Sequence, residues 1–134
     1  MKFYIASDIF SEERQDIVRR FAKALRFVGA DVYVPQEHDI EYGEIMDNKE
    51  WAARVFAEDV AAIDACDTLL YICEGMTGDI GAAWECGYAY AKGKKISVHE
   101  MSHDCEDCAL CDKTGKISLM VAQSTDTEIF SYQT

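Results

Sequence analysis

The stretch Thr77-Gly78-Asp79-Ile80-Gly81-Ala82-Ala83-Trp84-Glu85 opens a helical pattern directly after an apolar run, and it carries two carboxylates in different settings. Asp79 falls at the helix start, where its side chain can accept backbone N–H bonds; capping alone would account for it. Glu85 lies between one and two turns further on. Its helix face is shared with Gly78, Gly81, Ala82 and Ala89, so a groove of small residues is expected around one carboxylate. A carboxylate in a cramped, partly dry groove suits covalent attack on an anomeric carbon, because the transition state is an oxocarbenium ion that an anion stabilises.

A second acid is needed to protonate the leaving group, and Asp59 has the right company. Trp51, Val55, Asp59 and Ile63 recur every four residues, so this carboxylate projects from a stripe of three large apolar side chains. Burying it alone would cost several kcal/mol, so it is expected to be paired with a donor or to face a ligand cleft. Burial would raise its pKa and bring the protonated acid within reach near neutral pH. Tyr4 needs a hydrogen-bond partner if buried, and orienting Glu85 would satisfy it. Glu58, Asp64 and Asp67, by contrast, need no role beyond solvation or capping. Taken singly, acidic residues of this kind are mostly structural; the conjunction of Glu85, Asp59, Asp79 and Tyr4 carries the argument.

The elements that must hold these residues alternate in type. Phe3-Tyr4-Ile5-Ala6 reads as a strand, and Ser11-Glu12-Glu13 starts a helix with Ile17, Phe21, Leu25 and Val28 on its apolar face. Gly29 ends that helix, Asp31 to Val34 makes a second strand, and Pro35, the single proline, stops it. Residues 36 to 46 are polar and irregular, with His38 and Asp39 as candidate ligand contacts, and a long helix runs from about Asp47 to Ala65. Thr68 to Cys73 reads as a strand buried on both faces, Asp79 to Ala91 as a helix, and Lys95 to Val98 as a fourth strand. A Cys-rich loop at about 99–115, a short apolar stretch from Ile117 to Ala122 and a last strand near 128–131 complete the chain. This alternation predicts an α/β fold, a doubly wound parallel sheet of about five strands with helices on both faces. Ligands bind such sheets beyond the carboxyl ends of strands, where strand order reverses. The loops after Ala6 and Cys73 are therefore expected to form the site, with Ala6, Ser7 and Gly81 among its substrate-binding residues.

Composition narrows the partner. The 134 residues form one domain on this reading, with 49% hydrophobic content and a net charge of −12. So acidic a chain is not expected to bind a nucleic-acid polyanion or an anionic membrane, which needs clustered Lys and Arg. No apolar run approaches the ~20 residues that span a bilayer, and the first residues do not read as a secretory signal, so the expected location is cytoplasmic. Cys66, Cys73 and Cys86 lie in segments expected to be buried, where thiols act as small hydrophobes, and reduced cysteines are the expectation.

Asp59, Asp67, the run from Asp79 to Glu85, then Gly87-Tyr88-Ala89 and Gly93-Lys94 resemble the signature of the nucleoside 2-deoxyribosyltransferase family. Tyr4-Ile5-Ala6 with Phe10 resembles its first strand and loop. The resemblance covers about two thirds of the chain. It implies a flavodoxin-like fold and cofactor-free transfer of a 2-deoxyribosyl group between bases through a covalent intermediate with retained configuration. The substrates would be small-molecule deoxynucleosides and free nucleobases. On the same resemblance Glu85 is the nucleophile, Asp79 holds the sugar 5′-hydroxyl, Asp59 contacts the base and assists its protonation, and Tyr4 orients Glu85. Phe10 and Trp51 would wall the base. The family completes each site with polar residues of a neighbouring subunit in a homo-oligomer. Here the corresponding region reads Ile117-Ser118-Leu119-Met120, with Ser118, Gln123 and Ser124 as candidates.

Three other readings compete. A nucleoside or deoxynucleotide N-glycoside hydrolase would share the mechanism, with water as acceptor. The loop Ser7-Asp8-Ile9-Phe10-Ser11-Glu12-Glu13 is acidic and should repel a phosphate, which favours nucleosides. A zinc-stabilised binding module would use Cys105, Cys108 and Cys111 with His103 or His99; the spacing suits three thiolates, but the fourth ligand is not fixed and no second Cys pair follows, so an exposed loop of free thiols is the simpler account. A phosphorylated receiver would need an aspartate ending the third strand and a lysine after the fifth. That strand ends Ile72-Cys73-Glu74, and no lysine follows Lys116.

Overall fold

The computed structural model describes residues 1–38, 48–73, 79–101 and 117–132. Among them, β1 (Lys2–Ser7), α1 (Glu12–Phe27), β2 (Asp31–Tyr33), a 3-10 turn (Pro35–His38), α2 (Asn48–Ala65), β3 (Thr68–Cys73), α3 (Ile80–Ala91), β4 (Lys95–Met101), α4 (Leu119–Gln123) and β5 (Phe130–Tyr132) follow in order. The five strands are parallel and lie in the order β2-β1-β3-β4-β5. This is the doubly wound flavodoxin-like arrangement, whose order reverses between β1 and β3.

Strand alternation sorts the apolar side chains into two cores. Tyr4 and Ala6 of β1, Leu69, Tyr71 and Cys73 of β3 and Ile96 and Val98 of β4 face one layer, closed by Ile63 of α2, Ala82, Cys86 and Ala89 of α3, and Ile117. Ile5, Val32, Leu70, Ile72 and Met101 face the other, closed by Val18 and Ala22 of α1. α1 starts where Ser11 accepts the amide of Arg14 and ends before Gly29, whose φ of 91° is a left-handed conformation open to glycine. Ile17, Phe21 and Leu25 pack against the second core, but Val28, expected on the same stripe, lies beyond the last turn and is exposed.

β4 is three residues longer than expected. His99, Glu100 and Met101 are buried strand residues, not the start of the Cys-rich loop. His99 lies beside Ser97 and β5: Nε2 is 2.9 Å from the Ser97 hydroxyl and Nδ1 2.9 Å from that of Tyr132, with Phe130 stacked on the ring and Phe21 edge-on. Burial pushes its pKa down to about 4. Both nitrogens being engaged inside the fold, His99 is withdrawn from the ligand set proposed for a metal. Cys66, Cys73 and Cys86 are buried free thiols, and burial pushes the Cys73 thiol up to about 12. Cys105, Cys108, Cys111 and His103 lie outside the described residues. Among those described, no cluster of three potential ligands could hold a metal ion, and no helix is long and apolar enough to cross a membrane.

Candidate active site

A cleft of about 580 Å³ opens at the carboxyl ends of β1 and β3, at the point where strand order reverses. Ser7, Ile9 and Phe10 after β1 form one side, the Trp51, Val55, Asp59 and Ile63 stripe of α2 a second, and Asp79, Gly81 and Glu85 of the β3–α3 junction a third. The four-residue spacing on α2 thus does what was expected of it: Ile63 enters the core, and Asp59 faces the cleft one turn before it.

Glu85 is held from below. The Tyr4 hydroxyl, on a fully buried residue of β1, donates to Glu85 Oε2. Burial pushes the Glu85 carboxyl up to about 7, and the negative charges of Asp59 and Asp79 push the same way, while the Tyr4 bond opposes them. Burial and the Glu85 carboxylate in turn hold the Tyr4 phenol well above its usual range, so it remains a proton donor. A raised carboxyl pKa thus belongs to Glu85, the residue read as the nucleophile. Asp59 Oδ1 accepts from the hydroxyl of Tyr33, at the end of β2, at 3.4 Å.

Asp79 caps α3: its Oδ2 accepts the Ala82 amide at 2.8 Å. A Cβ on Gly81 would meet that oxygen at 3.2 Å, so glycine leaves the cap oxygen room as well as opening the cleft. The groove around Glu85 departs from the small-residue picture. Ala82 and Ala89 turn inward to the sheet, and the exposed aromatic rings of Trp84 and Phe56 line the cleft instead, with centroids 5.4 Å apart. Trp84 stacks on Tyr88, whose hydroxyl donates to Asp64 at 2.7 Å, so α2 and α3 brace this wall. Phe56 and Trp84 were missed because exposed aromatics beside an apolar stripe read as surface or core; nothing in spacing marks a cleft between two helices.

Of the other expected site residues, Ser7, Phe10 and Trp51 line the cleft. Ala6 does not: its side chain is fully buried in the core, since it alternates to the inner layer beside Tyr71. His38 also lies away from the cleft, its ring stacked 4.2 Å from that of Tyr33, and Asp39 is outside the described residues. Asp67 is at the opposite end of the sheet, accepting the Lys2 amide at 2.8 Å. Ser118, Gln123 and Ser124 line a separate apolar groove of about 540 Å³ between α3 and α4. Among the described residues lining the active-site cleft are three carboxylates and no Lys, Arg or His.

By sequence, no curated protein matches the chain. Solved structures do. A 2-deoxyribosyltransferase from Bacillus psychrosaccharolyticus superposes with a TM-score of 0.75 at 28% identity, covering 100% of this chain and 87% of that one. A 2-deoxyribosyltransferase from Leishmania mexicana (TM-score 0.69, 19% identity, 96% of this chain and 89% of that one) shares the fold. So does a CMP N-glycosidase from Clostridium botulinum (0.61, 18%, 98% and 88%). The family model for nucleoside 2-deoxyribosyltransferase matches residues 3–120, a span that takes in the cleft and every carboxylate in it. The chain belongs to the nucleoside 2-deoxyribosyltransferase family.

Proposed function

We propose that this protein transfers a 2-deoxyribosyl group between nucleobases, with Glu85 as the nucleophile. The observation that carries the reading is the Tyr4–Glu85 hydrogen bond at the wall of a cleft that also presents Asp59 and Asp79. With Tyr4 on Oε2, Oε1 attacks C1′ of the deoxynucleoside. The C1′–N bond breaks, its electron pair goes to the base, and protonated Asp59 delivers its proton to a ring nitrogen of the departing base. A second base then gives its ring N–H proton to the Asp59 carboxylate and attacks C1′ from the face the first one left, Glu85 departs as carboxylate, and two inversions give net retention. Asp79 takes the 5′-hydroxyl of the sugar, and Phe10, Trp51, Phe56 and Trp84 supply the apolar walls for the base.

The same intermediate is hydrolysed when water arrives before a base, so N-glycoside hydrolysis is the second reading. The fold shared with a CMP N-glycosidase is compatible with it. A nucleotide is the poorer substrate on electrostatic grounds, because no cation among the described cleft residues meets a phosphate and three carboxylates do. The reading carries with it a cytoplasmic, cofactor-free salvage enzyme, acting as a homo-oligomer whose neighbouring subunit completes each site.

The test is incubation with deoxyinosine and adenine beside a Glu85→Ala control, following deoxyadenosine, hypoxanthine and deoxyribose by chromatography. Deoxyadenosine made only by the unaltered protein is the expected result. Hypoxanthine and deoxyribose without deoxyadenosine would establish the hydrolase, and no turnover of any deoxynucleoside or deoxynucleotide would sink both readings.

A further inference from the structure

Tyr4 and Tyr33 occupy paired positions on adjacent strands, Tyr4 of β1 opposite Tyr33 of β2. Their rings stack, with centroids 5.5 Å apart and planes 11° from parallel. Tyr4 gives its hydroxyl to Glu85 of α3, and Tyr33 gives its own to Asp59 of α2. Tyr33 is held further by His38 of the 3-10 turn, stacked on it at 4.2 Å and 2°.

We propose that Tyr33 is a positioning residue for the catalytic acid, doing for Asp59 what Tyr4 does for Glu85. The proposal rests on the glycosyl-transfer reading above, in which Asp59 protonates the leaving base. Glu85 and Asp59 sit on different helices, and either helix could shift on the sheet without breaking a backbone bond. The two tyrosines belong to hydrogen-bonded neighbouring strands, and each has only two side-chain torsions, so their stacked rings form a rigid gauge for the separation of the two carboxylates. That separation decides whether attack and proton delivery flank the same glycosidic bond. At 3.4 Å the Tyr33–Asp59 bond is long, and it is expected to tighten when a base fills the cleft. Sequence alone does not point to it, since Tyr33 reads as an ordinary strand aromatic.

Tyr33→Phe keeps both stacks and removes only the hydroxyl. Two measurements decide the matter. The first follows the side-chain carboxyl carbons by NMR titration in the unaltered protein and in Tyr33→Phe. Tyr33 donates to Asp59, and the charge of Asp59 is felt at Tyr4 and Glu85; loss of the Tyr33 donor is expected to raise the Asp59 midpoint. The second compares base exchange in Tyr33→Phe, Asp59→Asn and the double variant. Tyr33→Phe should lower kcat by roughly tenfold with little change in KM, and should cost nothing more once Asp59 is Asn. An unmoved Asp59 midpoint, unchanged kcat, or losses that multiply in the double variant would overturn the proposal, the last marking a merely structural tyrosine. If the unaltered protein turns over no deoxynucleoside, the functional reading fails, and the titration still decides whether Tyr33 holds Asp59.

Discussion

Tyr4 and Glu85 stand 81 residues apart in the chain, yet the phenol of one is the hydrogen-bond donor to the carboxylate of the other. The donor comes from inside the sheet, the second strand by position, and the acceptor from the second turn of α3. The bond therefore fixes the carboxylate against the sheet, not merely against its own helix, and lowers a pKa that burial and two neighbouring carboxylates raise.

Removing that donor should be felt in rate and in pH. Tyr4→Phe is expected to lower kcat roughly 10- to 100-fold, the worth of a hydrogen bond to a charged group. Because Tyr4 favours the ionised form, its loss moves the Glu85 midpoint upward from about 7, so the acidic limb of the kcat/KM profile shifts to higher pH. A limb that stays in place would assign it to another group.

Glu85 is kept in the site at the expense of stability. Its folded pKa of about 7 stands above the ordinary 4.5, so between these values the folded protein holds a proton that the unfolded chain has released. Stability contributed by this group is complete below pH ~4.5 and falls as pH rises to about 7, by up to about 3 kcal/mol. Glu85→Gln should accordingly unfold at higher denaturant than the unaltered protein at pH 8 and show no such gain at pH 4, while losing transfer activity. Equal stability at pH 8 would mean that the carboxylate is better solvated than its burial implies.

His99 works in the opposite sense. Its folded pKa of about 4 lies below the ordinary 6.5, so stability is complete above that value and falls as pH drops through this interval, again by up to about 3 kcal/mol. Between about pH 4.5 and 6.5 the two groups nearly cancel, and the unaltered protein should show little pH dependence from them. Glu85→Gln should expose a stability that rises with pH across this range, and His99→Gln one that falls; urea titrations at several pH values would show whether the slopes separate.

The absence of a cation among the described cleft residues predicts discrimination by substrate charge. A deoxynucleoside should exceed its 5′-monophosphate in kcat/KM by at least about 100-fold, with the gap narrowing as salt screens the carboxylates. Comparable values for the two would mean that residues outside those described supply a cation.

Much of this was legible in the chain itself. The alternation of strands and helices reflects periodicities of two and 3.6 that follow from backbone geometry, which is why Lys2–Ser7, Thr68–Cys73 and Ile80–Ala91 lie where apolar patterning puts them. The short-range marks, Ser11 and Asp79 as caps and Asp59 among apolar residues, needed only neighbours within a turn or two. The resemblance to a known family named the same carboxylates and Tyr4, which the hydrogen bond and the cleft then joined.

What only the tertiary structure decided depends on contacts between elements distant in sequence. β4 runs on to Met101 because β3 pairs with His99 and Glu100 and β5 with all three of its last residues, partners that no pattern near Val98 announces. Ala6 left the cleft and Phe56 and Trp84 entered it, because strand alternation and the meeting of α2 with α3 assign faces that periodicity alone leaves open. The pairing of Tyr33 with Asp59, and the raised pKa of Glu85, arise from the register of β1 against β2 and from the desolvation of one particular groove. Desolvation and charge are set by everything within several ångströms in space, and a linear sequence does not carry those distances.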